Sequence, residues 1–113
     1  MPSSSTRLSP QEYKQTLKRI GILNRTGMEY ANQGNFPEAF IKIDTALHLA
    51  QKINKKCIEA KVLNSLGIVY TMVKQWDEAL LCYDEAIGIV ADHYGTENVL
   101  FQTLGKNLSY LFT

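Results

Sequence analysis

The chain of 113 residues is long enough for one domain, which would bury roughly two-thirds of the surface exposed by its unfolded form. Its net charge of +1 excludes the strong overall basic field that favours binding to nucleic acid or to an anionic membrane. Hydrophobic residues make up 45% of the sequence, yet no apolar run approaches the length of about 18 residues that a membrane span needs.

The two cysteines and the N-terminus indicate a compartment. Cys57 and Cys82 lie far apart in the sequence and form no CxxC pattern, which favours small apolar residues of a reducing compartment over a disulfide or a zinc site. The N-terminus lacks the apolar region of a secretory signal. We therefore expect a cytoplasmic protein with no bound metal.

The chain opens with a polar segment followed by a helix start. Residues 1–9, within "MPSSSTRLSP", are predicted to be a flexible leader. In "SPQE", Ser9 is a candidate N-cap, Pro10 suits the first helical turn, and Glu12 completes a capping box. These signals predict a helix from about residue 10 to 33.

The central feature of the sequence is an internal repeat. "TGMEYANQGNFPEAFIKIDTAL", residues 26–47, aligns with "LGIVYTMVKQWDEALLCYDEAI", residues 66–87, when Gly27 is placed on Gly67. Self-similarity at a fixed period of about this length is typical of solenoid proteins. The matched pairs include Leu23 with Leu63, Asn24 with Asn64, Tyr30 with Tyr70, Phe36 with Trp76, Ala39 with Ala79, Asp44 with Asp84 and Ala46 with Ala86.

Each copy reads as two helices joined by a tight turn. Apolar residues recur at helical spacing on both sides of a short polar break, "QGNFPE" in the first copy and "KQWD" in the second. Gly34 can end the first helix in a left-handed conformation, and Pro37 fits the first turn of the next. A glycine inside a helix costs about 1 kcal/mol relative to alanine, so Gly27 and Gly67 indicate helices that cross closely there.

"NSLGIVYTMVKQWDEALLCYDEAI" closely resembles a tetratricopeptide repeat, and "NRTGMEYANQGNFPEAFIKIDTAL" resembles a second one. Thr26 and Ile43 depart from the family pattern, and the proline usual near each repeat end is missing. The resemblance implies an all-α helix–turn–helix solenoid, an α-α superhelix of two repeats plus an additional C-terminal helix. Its expected limits are residues 10–113, with repeat 1 at about 20–53, repeat 2 at about 60–93 and the first helix of a third repeat at about 97–113.

The tail has a resemblance of its own. "HYGTENVLFQTLGKNLSYLFT" is similar to the junction and first helix of the longer repeats of kinesin light chains. In that alignment Ser109 takes the place of Gly67 and Phe112 that of Tyr70, while Gly105 falls where a large apolar residue is usual.

No residue pattern points to catalysis. His48 and Asp44 form a His–carboxylate pair at helical contact spacing, but a solvated pair is the favoured interpretation. Phosphate-binding, dinucleotide-binding, zinc-protease and nucleophile-elbow motifs are missing from the sequence. We therefore expect a protein that is not an enzyme, has no catalytic residue or cofactor, and binds neither nucleic acid nor a membrane.

The resemblance implies a groove lined by the first helix of each repeat. Asparagines that line this groove could hold the backbone of an extended peptide, because a side-chain amide both donates and accepts hydrogen bonds. The alternatives are that these asparagines match by chance or serve only solubility. A carboxylate clamp of the kind that binds chaperone C-termini is incomplete, since Met28 occupies an asparagine position. The predicted groove residues are Asn24, Met28, Asn32, Lys61, Asn64, Ile68, Thr71, Lys106 and Tyr110.

These patterns predict a non-enzymatic adaptor that binds a peptide segment of a partner protein. One alternative is self-association into a homo-oligomer through an apolar C-terminal patch, and another is a small regulatory subunit of an enzyme. The patch would be left open where a solenoid lacks its next helix. Its predicted residues are Leu104, Leu108, Leu111 and Phe112.

Overall fold

The computed structural model describes residues 8–113 and consists, over that range, of five α-helices joined by short turns. Consecutive helices pack mainly as antiparallel pairs, and the described part of the chain measures 50 × 34 × 22 Å. The leader predicted at residues 1–9 lies mostly outside the described residues. The helices are α1 (Pro10–Asn32), α2 (Phe36–Lys52), α3 (Lys56–Met72), α4 (Trp76–Tyr94) and α5 (Val99–Tyr110).

The start of α1 confirms the predicted capping box. The backbone amide of Glu12 donates to Oγ of Ser9 at 3.1 Å, and the amide of Ser9 donates to Oε1 of Glu12 at 2.9 Å. Pro10 occupies the first helical turn, where its missing N–H removes no hydrogen bond. The helix ends at Asn32, just before the predicted end.

Three turns of the same geometry follow at regular intervals along the chain. Gly34, Asn54 and Lys74 each have a positive φ, between 55° and 81°, directly after a helix. In each turn the following amide donates back to the helix, as Asn35 does to the carbonyl of Tyr30 at 2.9 Å. This is the Schellman arrangement, which satisfies carbonyls that the helix end leaves unpaired. The first period of the sequence repeat therefore contains two helices that end in the same way, as does α3 in the second period, whereas α4 ends at Gly95 with a different backbone conformation.

The two predicted crossing points are confirmed by the backbone geometry. A Cβ built on Gly27 would lie 2.5 Å from Cγ1 of Ile43, and one built on Gly67 would lie 2.5 Å from Cε1 of Tyr83. Ile43 and Tyr83 are matched positions of the sequence repeat, so equivalent residues make the contact in the two hairpins. Glycine is required because a side chain at either position would overlap the opposite helix.

The core forms two clusters, one around α1, α2 and α3 and the other around α3, α4 and α5. Tyr70 and Leu47 pack against both clusters and so connect them. The ring of Tyr70 lies 4.9 Å from that of Phe40, between centroids. None of the helices within residues 8–113 combines the length and the apolar character needed to cross a membrane.

Candidate functional site

The candidate site is the groove between α3 and α5, which run in the same direction because antiparallel α4 lies between them. On α3, Asn64, Ile68 and Thr71 lie on one face at helical spacing. On α5, Asn107 and Tyr110 form the matching face, and the two helices are in contact. Four of the predicted groove residues, Asn64, Ile68, Thr71 and Tyr110, therefore face one another across this groove.

A hydrogen bond between two asparagines spans the groove. Nδ2 of Asn107 donates to Oδ1 of Asn64 at 2.7 Å, in a partly buried position. Within the described residues, Nδ2 of Asn64 and Oδ1 of Asn107 keep no protein partner. The pair thus leaves one donor and one acceptor beside the groove. It also lies between two recesses, one toward the C-terminal end of α3 and one toward its N-terminal end.

We call the recess toward the C-terminal end of α3 the Trp76 recess. Its volume is about 460 Å³. Its base includes the buried ring of Tyr83, and its edge includes Trp76 and Tyr110, which are 49% and 67% exposed. Large aromatic side chains that remain this exposed are the residues most enriched in protein interfaces. The lining residues are Ile68, Thr71, Met72, Lys74, Trp76, Tyr83, Asn107 and Tyr110.

Local backbone geometry places the polar atoms of the recess. Lys74 sits in the left-handed position of the α3–α4 turn, with Trp76 at the first position of α4. The hydroxyl of Thr71 donates to the carbonyl of Gly67 at 2.8 Å. Burial raises the pKa of the Tyr83 phenol above its usual range. The recess thus combines apolar walls with one ammonium group at its edge.

The other predicted groove residues lie apart from this recess. On α1, Met28 packs against the first core cluster, Asn32 is exposed, and Oδ1 of Asn24 is buried with no donor within the described residues. Lys61 lines the recess on the other side of the asparagine pair, and Lys106 is exposed on α5. The structure thus brings together Asn64, Ile68, Thr71 and Tyr110 of the predicted set, but neither the α1 members nor Lys61 and Lys106.

The residues predicted for self-association differ widely in exposure. Leu104 is completely buried in the second core cluster, so its side chain offers no surface to another molecule. Leu108 and Leu111 pack against the same cluster and are half-buried. Phe112 is 72% exposed. Leu104 is buried because α5 turns that side toward α3 and α4, a direction that the apolar spacing of one helix does not reveal.

In the described part of the chain, His48 contacts the backbone of Asp44, and the potential metal ligands lie apart. Nδ1 of His48 lies 2.9 Å from the backbone carbonyl oxygen of Asp44, and both residues are exposed. Burial is the main cause of a raised pKa for the Asp44 carboxyl, which His48 partly offsets. Among residues 8–113, no three His, Cys, Asp or Glu side chains are grouped closely enough to hold a metal ion.

Sequence reasoning missed the contribution of α4 to the site. The repeat alignment assigns Trp76 and Tyr83 to helix packing, because they match Phe36 and Ile43 of the first copy. Two signals point to the recess: the second copy has a larger aromatic residue at both positions, and Trp76 directly follows a turn. A turn places such a residue at a helix end, where part of its ring stays exposed.

Comparison of the chain with protein-family models, with curated proteins and with solved structures gave no match.

Proposed function

We propose that the protein is a non-enzymatic adaptor built of tetratricopeptide-type hairpins, which binds an extended peptide segment of a partner protein between α3 and α5. The solenoid interpretation is supported by the sequence repeat, by the recurring turn geometry and by the equivalent contacts of Gly27 and Gly67. In such an array, α5 would be the first helix of a third repeat.

The observation that carries this proposal is the Trp76 recess. A volume of about 460 Å³ accepts one large apolar side chain together with the adjoining backbone. The recess is surrounded by the exposed apolar surface of Trp76, Met72 and Tyr110, which a bound peptide segment would cover. Burial of such surface is the main source of free energy in protein association. The preferred segment would carry an apolar anchor residue, with an acidic residue near Lys74.

The asparagine pair supports an extended backbone as the second element of recognition. The free Nδ2 of Asn64 can donate to a peptide carbonyl, and the free Oδ1 of Asn107 can accept from a peptide amide. These contacts would orient the peptide backbone along the groove and would not depend on the side chains of the peptide. Because Asn64 also binds Asn107, an Asn64→Ala variant would affect both stability and binding and is a poor test.

The experiment is selection of peptides from a random display library, followed by calorimetric measurement of the dissociation constant for the winning sequence. Tyr110→Ala should weaken binding about tenfold, because it removes an exposed aromatic side chain from the recess. Leu81→Ala is the matched control, since Leu81 is equally exposed but lies on α4 away from the recess lining. Failure to select any peptide, or equal affinities of the Tyr110→Ala variant and the unmodified chain, would contradict the proposal.

Self-association through the C-terminal end is a second candidate, favoured by the exposure of Phe112 beside Leu111. An exposed aromatic residue next to half-buried leucine provides apolar surface for a second copy. Light scattering at high micromolar concentration should then show a dimer that Phe112→Lys converts to monomer. A monomeric unmodified chain would remove this candidate and leave peptide binding unaffected.

We also propose that the protein is cytoplasmic. It is supported by Cys57 and Cys82, which are both free thiols, as in a reducing compartment.

A further inference from the structure

A second cavity lies at the opposite end of the groove, where the N-terminus of α3, the C-terminal end of α4 and the N-terminus of α5 meet. Its volume is about 500 Å³, within the range of about 300–1,000 Å³ that is typical of small-molecule sites. The asparagine pair lies between it and the Trp76 recess. Of the predicted peptide-groove residues only Lys61 lines this cavity, and none of the predicted self-association residues does.

The walls of the cavity are apolar. Val90 is fully buried and Leu100 half-buried, and both line the interior. At the opening, Val99 is 76% exposed and the ring of Tyr94 is 50% exposed. An apolar ligand chain placed against Leu100, above the buried Val90, would also cover part of the exposed side chains of Val99 and Tyr94, which supplies a hydrophobic driving force.

The polar part of the cavity favours a negative charge. Lys61 is the one charged residue that lines it, among the residues that the structure describes. Two helix N-termini also end there, and the partial positive charge of each attracts anions. Within residues 8–113, α3 has no side-chain cap, although Glu59 places a carboxylate in its first turn, whereas Asn98 caps α5 by accepting a hydrogen bond from the amide of Phe101 at 2.8 Å. The neighbouring acids Asp92 and Glu97 are exposed and do not line the cavity.

From the apolar volume and the single cation at its edge, we infer that this cavity binds a small amphipathic carboxylate, such as a fatty acid of medium chain length. The alkyl chain lies against Leu100, Val99 and Tyr94, and the carboxylate accepts hydrogen bonds from the Lys61 ammonium group. This site is separate from the proposed peptide site, because its lining shares no residue with the Trp76 recess.

Ligand binding in this cavity can be measured from the reactivity of the two cysteines. Cys57 lines the cavity and is partly exposed, whereas Cys82 is buried in the first core cluster. Iodoacetamide should therefore modify Cys57 first, and decanoate below its micelle concentration should slow that reaction. Calorimetry gives the dissociation constant of decanoate, and thermal unfolding should show a higher melting temperature in its presence.

Lys61→Gln should weaken decanoate binding about tenfold, because the carboxylate loses its charged hydrogen-bond partner. Lys61 is exposed, so the variant is expected to fold, which circular dichroism verifies. Lys52→Gln is the matched control, since Lys52 is an exposed lysine at the end of α2 that does not line the cavity. Decyltrimethylammonium, with a cationic head on a chain of the same length, should protect Cys57 much less.

Slower alkylation by decanoate that depends on Lys61 supports the inference. The inference is overturned if decanoate neither protects Cys57 nor raises the melting temperature. It is also overturned if Lys61→Gln binds decanoate as tightly as the Lys52→Gln control, or if the cationic amphiphile protects Cys57 equally well.

Discussion

Gly27 and Gly67 are positions at which one methyl group decides how closely two helices approach. At Gly27 the space is closed by the side chain of Ile43 and by the carbonyl oxygen of Ala39, which lies 3.2 Å from an added Cβ. At Gly67 it is closed by the ring of Tyr83, which is almost fully buried and so has little room to move. The sequence alone predicted both crossings, because a helical glycine without a packing role would be disfavoured.

Gly67→Ala is expected to lower the free energy of unfolding by about 1–3 kcal/mol, because the new methyl group overlaps the ring of Tyr83. Gly88→Ala is the control: an added Cβ there meets no atom within 4 Å in the described structure. That variant should instead raise the free energy of unfolding by about 0.5–1 kcal/mol, from helix propensity. Urea unfolding measures both, and equal changes in the two variants would contradict the crossing geometry.

The buried thiol of Cys82 should make the free energy of unfolding depend on pH in the alkaline range. Burial, aided by the nearby carboxylates of Glu85, Asp44 and Glu78, raises the pKa of its thiol from 9.0 to about 11. Between these values the unfolded chain releases the proton while the folded chain retains it. The free energy of unfolding should therefore be unaffected by this thiol below about pH 9 and should fall as the pH rises toward 11.

Cys82→Ala should make this alkaline decline shallower, even though the smaller side chain lowers stability at neutral pH. Tyr70 and Tyr83, whose pKa values burial also raises, should contribute to the remaining slope. Chemical unfolding at a series of pH values tests this, with Cys57→Ala as the control. An unchanged slope in Cys82→Ala would show that the thiol is not the titrating group.

At the scale of the elements, α1, α2 and α3 end in the same way despite different turn residues. The left-handed position is held by Gly34, then by Asn54, then by Lys74. Glycine adopts this conformation without strain and asparagine does so readily, whereas lysine is disfavoured there. The sequence predicted the first turn from its glycine, but Asn54 and especially Lys74 carry no such signal. The hydrogen bonds of the turn and the packing of the hairpin impose the conformation on them.

Lys74→Gly should raise the free energy of unfolding by about 0.5–1 kcal/mol, since relief of left-handed strain exceeds the entropy lost by glycine. Asn54→Gly should give a smaller gain, and Gly34→Ala should lower the free energy of unfolding by about 1 kcal/mol. Thermal unfolding of the three variants gives the order. A destabilised Lys74→Gly variant would be inconsistent with the turn described.

At the scale of the whole molecule, α3 contacts the other four helices, whereas α5 contacts only α3 and α4. The groove therefore joins the best-supported helix to the least-supported one. Helical periodicity predicted Asn64, Ile68, Thr71 and Tyr110, which lie beside this groove, but also Lys106, which lines neither recess. It did not predict the two recesses, because each forms where three helices meet. The spacing within one helix carries no information on how far apart three helix ends will lie.

Peptide binding in the groove between α3 and α5 is tested most directly by nuclear magnetic resonance titration of the labelled chain with a selected peptide. We expect the largest chemical-shift changes at Trp76, Tyr110 and the side-chain amides of Asn64 and Asn107. Signals of Ile41 and Leu81, which are exposed on α2 and α4 and do not line the recess, should not change. Shifts centred on Ile41 and Leu81, with the two asparagine amides unmoved, would contradict the proposed site.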